Sequence, residues 1–179
     1  MSPPLEDMIR RFASERRYAG VTIERWLGLD APDGAALLTL AEELRLGENQ
    51  LRELWEWAED IGDRDGRQLA EVLALEPIVA ARRQRVGRND KLKLVKRALR
   101  RLRFPSLSAS EDQLANLIRS LALPPNVRVH TPAFLEGDEV RIEITARTAN
   151  GLRRALASLT DAASSRACDE IFGVLENWT

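Results

Sequence analysis

LAEELRLGENQLRELWEWAED, Leu40–Asp60, decides how the first half of the chain is read. Leu40, Ala41 and Leu44 recur at helical spacing, as do Leu51, Leu54, Trp55 and Ala58, and Arg45–Gly47 breaks the period between them. The stretch therefore predicts a helix-turn-helix-like pair. Leu40, Ala41, Leu44, Leu46, Leu51 and Leu54 stand where such a motif wants small or apolar residues around its turn. Glycine is usual at the place of Arg45, because the turn needs a left-handed backbone that arginine adopts at some cost. The charge of the second helix argues against DNA reading. Glu48, Glu53, Glu56, Glu59 and Asp60 against Arg52 give it a balance of −4, which would repel the phosphates that wall a groove. Those acids suit a solvated face or a basic protein partner on the acidic N-terminal face. Trp55 and Trp57 lie about 200° apart on this helix, so only one of them can point inward.

Outward from this pair, the N-terminal residues read as further helices. Ser2 can cap a first helix with Pro3 behind it, and Leu5, Met8, Ile9 and Phe12 share one face. Thr22 is positioned to cap a second, IERWL. Asp30 and Pro32 open the helix that leads into the quoted stretch. Beyond it, GDRDG breaks the helix after about Ile61. A fifth helix turns Leu69, Val72 and Leu73 inward, and Glu76-Pro77 interrupts it. LAEVLAL echoes LAEELRL 29 residues on, too briefly for a solenoid repeat.

The net charge of −1 conceals a partition. Residues 1–80 hold 9 basic and 17 acidic side chains, residues 81–105 hold 11 basic and one acidic, and residues 106–179 hold 7 and 10. The balances are −8, +10 and −3. In the basic segment Asn89 or Asp90 can cap a helix ending before Pro105. Its apolar stripe is Leu92, Val95, Leu99 and Leu102, with cations on the other faces. The candidate phosphate contacts are Arg82, Arg83, Arg85, Arg88, Lys91, Lys93, Lys96, Arg97, Arg100, Arg101 and Arg103. No series of Asn or Gln suggests base readout, and Phe104 is the segment's one aromatic. The alternative is a helix whose cations pair with the acidic N-terminal half of the same molecule.

The last third has a different pattern. Ser108 with Glu111 forms a capping box ahead of a helix carrying Leu114, Leu117, Ile118 and Leu121, stopped by Pro124-Pro125. Strands are predicted at Asn126–His130 and at Glu139–Thr145, where Val140, Ile142 and Ile144 alternate with polar residues. Thr148 caps a helix turning Leu152, Ala155, Leu156 and Leu159 inward, and a last helix carries Ile171, Val174, Leu175 and Trp178. The fold class is mainly α with a small α+β tail: a helical domain over residues 1–104 and an αββα module plus terminal helix over 105–179. A lone two-stranded hairpin is marginal and leaves two open edges, so homodimerisation is the structural expectation. Leu114, Leu117, Ile118, Leu121, Val140, Ile142, Ile144, Leu152 and Leu156 are the candidate dimer contacts.

QLANLIRSL, NVRV and GDEVRIEITARTANGLRRALASL together resemble the C-terminal dimerisation domain of ParB-type chromosome-partition proteins, over about residues 110–159. The resemblance implies a dimer built by sheet extension and helix packing, and DNA binding without sequence preference. The nucleotide-binding motifs of that family's N-terminal domain are not found in this chain.

Other functions find little support. Cys168 and His130 each stand alone, so a zinc site of the usual ligands and an intrachain disulfide are not expected. His130 sits in a predicted strand, where a structural histidine is the commoner case. Glu136, Asp138 and Glu139 read as a polar loop rather than paired catalytic carboxylates, and neither GxxxxGK[ST] nor GxGxxG occurs. No cofactor, metal or catalytic residue is assigned. No apolar run could span a bilayer and no secretory leader is apparent, so no membrane partner is expected and a reducing cytoplasm is the expected location. A non-enzymatic, dimeric, DNA-associated protein follows, related to partition or the nucleoid. The alternative is a protein–protein adaptor with no nucleic-acid role.

Overall fold

The computed structural model describes residues 3–178. The Ser2 cap lies outside the described residues. The fold is mainly helical with one two-stranded antiparallel sheet, and the chain divides into two compact units, Met1–Phe104 and Pro105–Thr179.

The first unit holds α1 (Leu5–Glu15), α2 (Gly20–Leu27), α3 (Ala31–Leu44), α4 (Glu48–Asp65), α5 (Leu69–Leu73), α6 (Glu76–Arg83) and α7 (Arg88–Arg103). Leu40, Ala41, Leu44, Leu46, Leu51, Leu54, Trp55, Ala58 and Ile61 are all fully buried, so the helix-turn-helix-like stretch is the centre of the core. Arg45 takes the left-handed conformation that the turn demands, at φ 46° and ψ 51°. Its backbone strain of about 1 kcal/mol is small beside the apolar area buried on either side. Phe12, Tyr18 and Trp26 form an aromatic cluster beneath α1 and α2, with Tyr18 donating to the Leu46 carbonyl at 2.8 Å. Trp26 and Trp55 are core, and Trp57 is half-buried.

Several local expectations are corrected. Thr22 lies inside α2, not at its start; it is buried, and its hydroxyl donates to Glu48 of α4. GDRDG does not break α4 at Ile61. The helix continues to Asp65, and Gly66 ends it at φ 66°. Gly62 is needed inside that last turn, because a Cβ there would sit 2.6 Å from the Arg67 carbonyl oxygen. Likewise α7 begins at Arg88 on a Gly87 cap, which leaves Asn89 and Asp90 inside its first turn.

The second unit holds α8 (Pro105–Ser120), β1 (Val127–His130), β2 (Arg141–Ile144), α9 (Ala149–Ala163) and α10 (Arg166–Glu176). Ser108 is not an N-cap. Pro105 opens α8, a position where its missing N–H is harmless, and Ser108 is buried one turn in. The strands are shorter than their apolar alternation, pairing Val127 with Ile144 and Val129 with Ile142. Asn126 extends the ladder through its amide, which donates to the Thr145 carbonyl at 3.0 Å. Leu114, Leu135, Ile171, Val174 and Leu175 make the core. Leu135 comes from the connection between the strands, whose short 3₁₀ turn at Ala133–Leu135 delivers it inward. Thr148 does cap α9, accepting from the Gly151 N–H. The buried residues of α9 are Ala155 and Ala162, while Leu152 and Leu156, expected inward, are exposed.

Candidate nucleic-acid interface

The eleven candidate cations sit on α6, on α7 and on the loop between them. Leu92, Val95, Ala98 and Leu99 bury one side of α7 against the first unit's core. This fixes which cations flank the packed side and which face outward.

The flanking cations meet acids of α3 and α4. Glu43, near the end of α3, receives Arg82 at 2.8 Å and Lys91 at 3.2 Å, tying α6 and α7 to one carboxylate. Lys96 pairs with Glu53, and Arg103 with Asp60 at 2.6 Å. Glu53 and Asp60 are seven residues apart, as are Lys96 and Arg103. Seven residues are two helical turns, about 10.5 Å, so α4 and α7 run parallel with matched charges on facing stripes. One turn further along α4, Arg64 donates to the carbonyls of Leu102 at 2.9 Å and Arg103 at 3.0 Å, satisfying the last acceptors of α7. Glu43, Arg82 and Lys91 are each only about a quarter exposed, so this group is shielded better than an ordinary surface pair. Partial burial pushes the Glu43 carboxyl up. Hydrogen bonds from Arg82 and Lys91, together with their charges, outweigh it and hold the carboxyl below the usual range.

The other acids between Glu48 and Asp60 are engaged too. Glu48 accepts from the Thr22 hydroxyl and from the Ala19 N–H at 3.1 Å, and these bonds lower its pKa. Glu59 pairs with Arg25, and Glu56 lies 3.8 Å from Arg52. The five acids between Glu48 and Asp60 therefore serve contacts within the unit, a role that the charge count alone did not reveal.

Arg83, Arg85, Arg88 and Arg97 are exposed and have no acidic partner among the described residues. Among the described residues Lys93 meets one acid, Asp90, at 3.2 Å, with both side chains mostly in solvent, a pair worth little. Arg100 and Arg101 lie in the last turns of α7, each with an interaction of its own. Arg103 also stacks on aromatics: its guanidinium lies 4.9 Å from the Phe104 centroid and 5.9 Å from that of Trp57.

The candidate dimer contacts separate into two groups. Leu114 is buried in the second unit's own core, and Leu117, Ile118, Leu121 and Val140 pack half-buried against it. Ile144 is half-buried beside its strand partner Val127. Ile142, Leu152 and Leu156 are 44%, 42% and 47% exposed and remain available to a partner. His130 contacts Glu143 at 3.2 Å on the opposite sheet face. Among the described residues no group of three or more His, Cys, Asp or Glu is arranged to hold a metal, and no helix is long and apolar enough to cross a membrane.

Comparison with protein-family models, with curated proteins and with solved structures returned no match.

Proposed function

We propose that the protein is a non-enzymatic, dimeric, nucleic-acid-associated protein whose phosphate contacts come from the outward face of α6 and α7. The observation that carries this reading is the set of Arg83, Arg85, Arg88 and Arg97, exposed and without acidic partners among the described residues, with Lys93 beside them. Each phosphate contact releases a counterion, so five such cations favour binding to any phosphate backbone without reading sequence. Arg82, Lys91, Lys96 and Arg103, bonded to Glu43, Glu53 and Asp60, serve the fold and are withheld from this surface.

Dimerisation belongs to the same proposal. Exposed Ile142, Leu152 and Leu156 and the unpaired edges of a two-stranded sheet support a second copy as the partner of the Pro105–Thr179 unit. The ParB-like αββα pattern extends the reading to chromosome partition or the nucleoid, and a cytoplasmic location goes with it. Replacing Arg85, Arg88 and Arg97 by Glu should abolish retention on random-sequence duplex DNA at low salt. Equal retention by the variant would refute the interface.

The cross-helix ion pairs favour one second reading, a protein–protein adaptor with no nucleic-acid role. In it the outward cations of α7 would dock on an acidic protein as its inner cations dock on α3 and α4. Absence of any salt-sensitive shift with duplex DNA, single strands or RNA would select this reading.

A further inference from the structure

We infer that α7 tracks a single-stranded nucleic-acid segment along its outer face and stacks one base on Phe104. This rests on the phosphate-contact reading above and adds a class of ligand to it. Lys93 and Arg97 lie one turn apart on α7, and Phe104, the residue that caps the end of the helix, follows seven residues or two turns after Arg97, so the three lie along one stripe. The stripe is about 16 Å long at 1.5 Å per residue. Lys93 and Arg97 are exposed along it, and at its end the Phe104 ring is 42% exposed.

That ring is held in place. The Arg103 guanidinium lies 4.9 Å from its centroid. The same guanidinium is anchored by Asp60 at 2.6 Å and lies over Trp57. Arg64 fixes the backbone just before the ring through the carbonyls of Leu102 and Arg103. An aromatic ring braced by a cation and still open to solvent is a stacking surface formed in advance. Every base has a π-face, so stacking is tolerant of sequence, and cations on the same stripe hold the sugar–phosphate chain that presents the base. A duplex keeps its bases stacked on one another and shows this ring only its backbone. The combination therefore favours unpaired bases. Amide readout of adenine edges is not provided beside the ring: Asn89 is the only side-chain amide of α7, and it lies in the first turn, far from Phe104.

The test is fluorescence anisotropy with three labelled probes: an oligothymidylate, an abasic sugar–phosphate oligomer of the same length, and a random duplex. The full chain should bind the oligothymidylate about tenfold more tightly than the abasic oligomer, the lower part of the range expected for one stacked base. Phe104→Ala should reduce oligothymidylate binding to the abasic level and leave abasic binding unchanged. Phe104→Trp should keep the preference, which separates stacking from damage to the end of α7. Equal affinity of the unmodified chain for the two single-stranded probes, tighter binding of the duplex, or a preference that survives Phe104→Ala would each overturn the stacking inference while leaving phosphate contact intact. Failure to bind any of the three would overturn both.

Discussion

Neutralising Glu43, Glu53 and Asp60 together tests whether the fold withholds cations from the proposed interface. In the triple variant Glu43→Gln, Glu53→Gln, Asp60→Asn, the partners of Arg82, Lys91, Lys96 and Arg103 lose their charge. The salt dependence of duplex binding counts the phosphates neutralised, with a slope of about −0.9 per contact in log affinity against log salt. Five cations, Arg83, Arg85, Arg88, Lys93 and Arg97, give the unmodified chain a slope of about −4.5. Releasing four more sets a limit of about −8, whereas all eleven acting freely from the outset would give about −10. The same substitutions should cost stability, because four partly shielded ion pairs at a few tenths to 1 kcal/mol each amount to about 1–4 kcal/mol. Binding is read by anisotropy between about 50 and 200 mM salt, where a change in slope is large, and stability by denaturant unfolding. The expected result is a steeper slope in a less stable protein. A slope near −10 for the unmodified chain, or an unchanged slope in the folded triple variant, would show that the acids of α3 and α4 do not compete with phosphate.

Four further outcomes follow from the geometry. Tyr18 is the only tyrosine of the chain, so tyrosinate absorbance reports it alone; burial, opposed by Arg16 and reinforced by Glu48, pushes its hydroxyl up to about 12. A folded pKa above the unfolded value of about 10 means that the protein is stabilised below pH 10 and loses that contribution as pH rises through 12, about 2–3 kcal/mol in all; Tyr18→Phe should remove this alkaline transition, and a midpoint near 10 in the folded protein would contradict the burial argument. Gly62→Ala should destabilise the first unit by about 1–3 kcal/mol, despite alanine's helix propensity, because its Cβ meets the Arg67 carbonyl oxygen at 2.6 Å. Arg45→Gly should do the reverse by up to about 1 kcal/mol, since φ 46° suits glycine, and chemical denaturation of the two variants tests both signs. Finally, Leu152→Asp with Leu156→Asp should convert a dimer to a monomer in light scattering with little effect on folding, because both side chains are exposed in the single chain; a variant that stays dimeric would remove α9 from the interface.

Where the sequence reading failed, the cause was tertiary. Thr22 and Ser108 carry the residue type of a cap, but each lies within a longer helix: Glu48 of α4 accepts from the Ala19 N–H ahead of α2 and from the Thr22 hydroxyl within it, and α8 already begins at Pro105. GDRDG looks like a breaker, yet α4 passes through it: a glycine is tolerated where a carbonyl must approach closely, and only Gly66 has the left-handed backbone that stops the helix. Leu152 and Leu156 fit an inward helical stripe, but the small residues Ala155 and Ala162 form the buried line of α9. Leu135 was hidden in a polar loop, because no periodicity announces a single side chain carried inward by a turn.

The candidate interface shows the same division. The partition of charge into −8, +10 and −3 was plain in composition, and so was the amphipathic stripe of α7. Matched seven-residue spacings, Glu53 to Asp60 and Lys96 to Arg103, were also present as a signal, but spacing alone does not say that two helices lie side by side.

The sequence by itself determined the helical class, the turn at Arg45, the apolar faces of α3 and α4 and the existence of a basic segment. These depend on local backbone preference and on periodicity, both of which are properties of neighbours along the chain. Only the tertiary structure decided which cations are available, because an ion pair depends on distance in space. Packing α7 beside α4 brought side chains 43 residues apart within bonding range and left Arg83, Arg85, Arg88 and Arg97 facing outward.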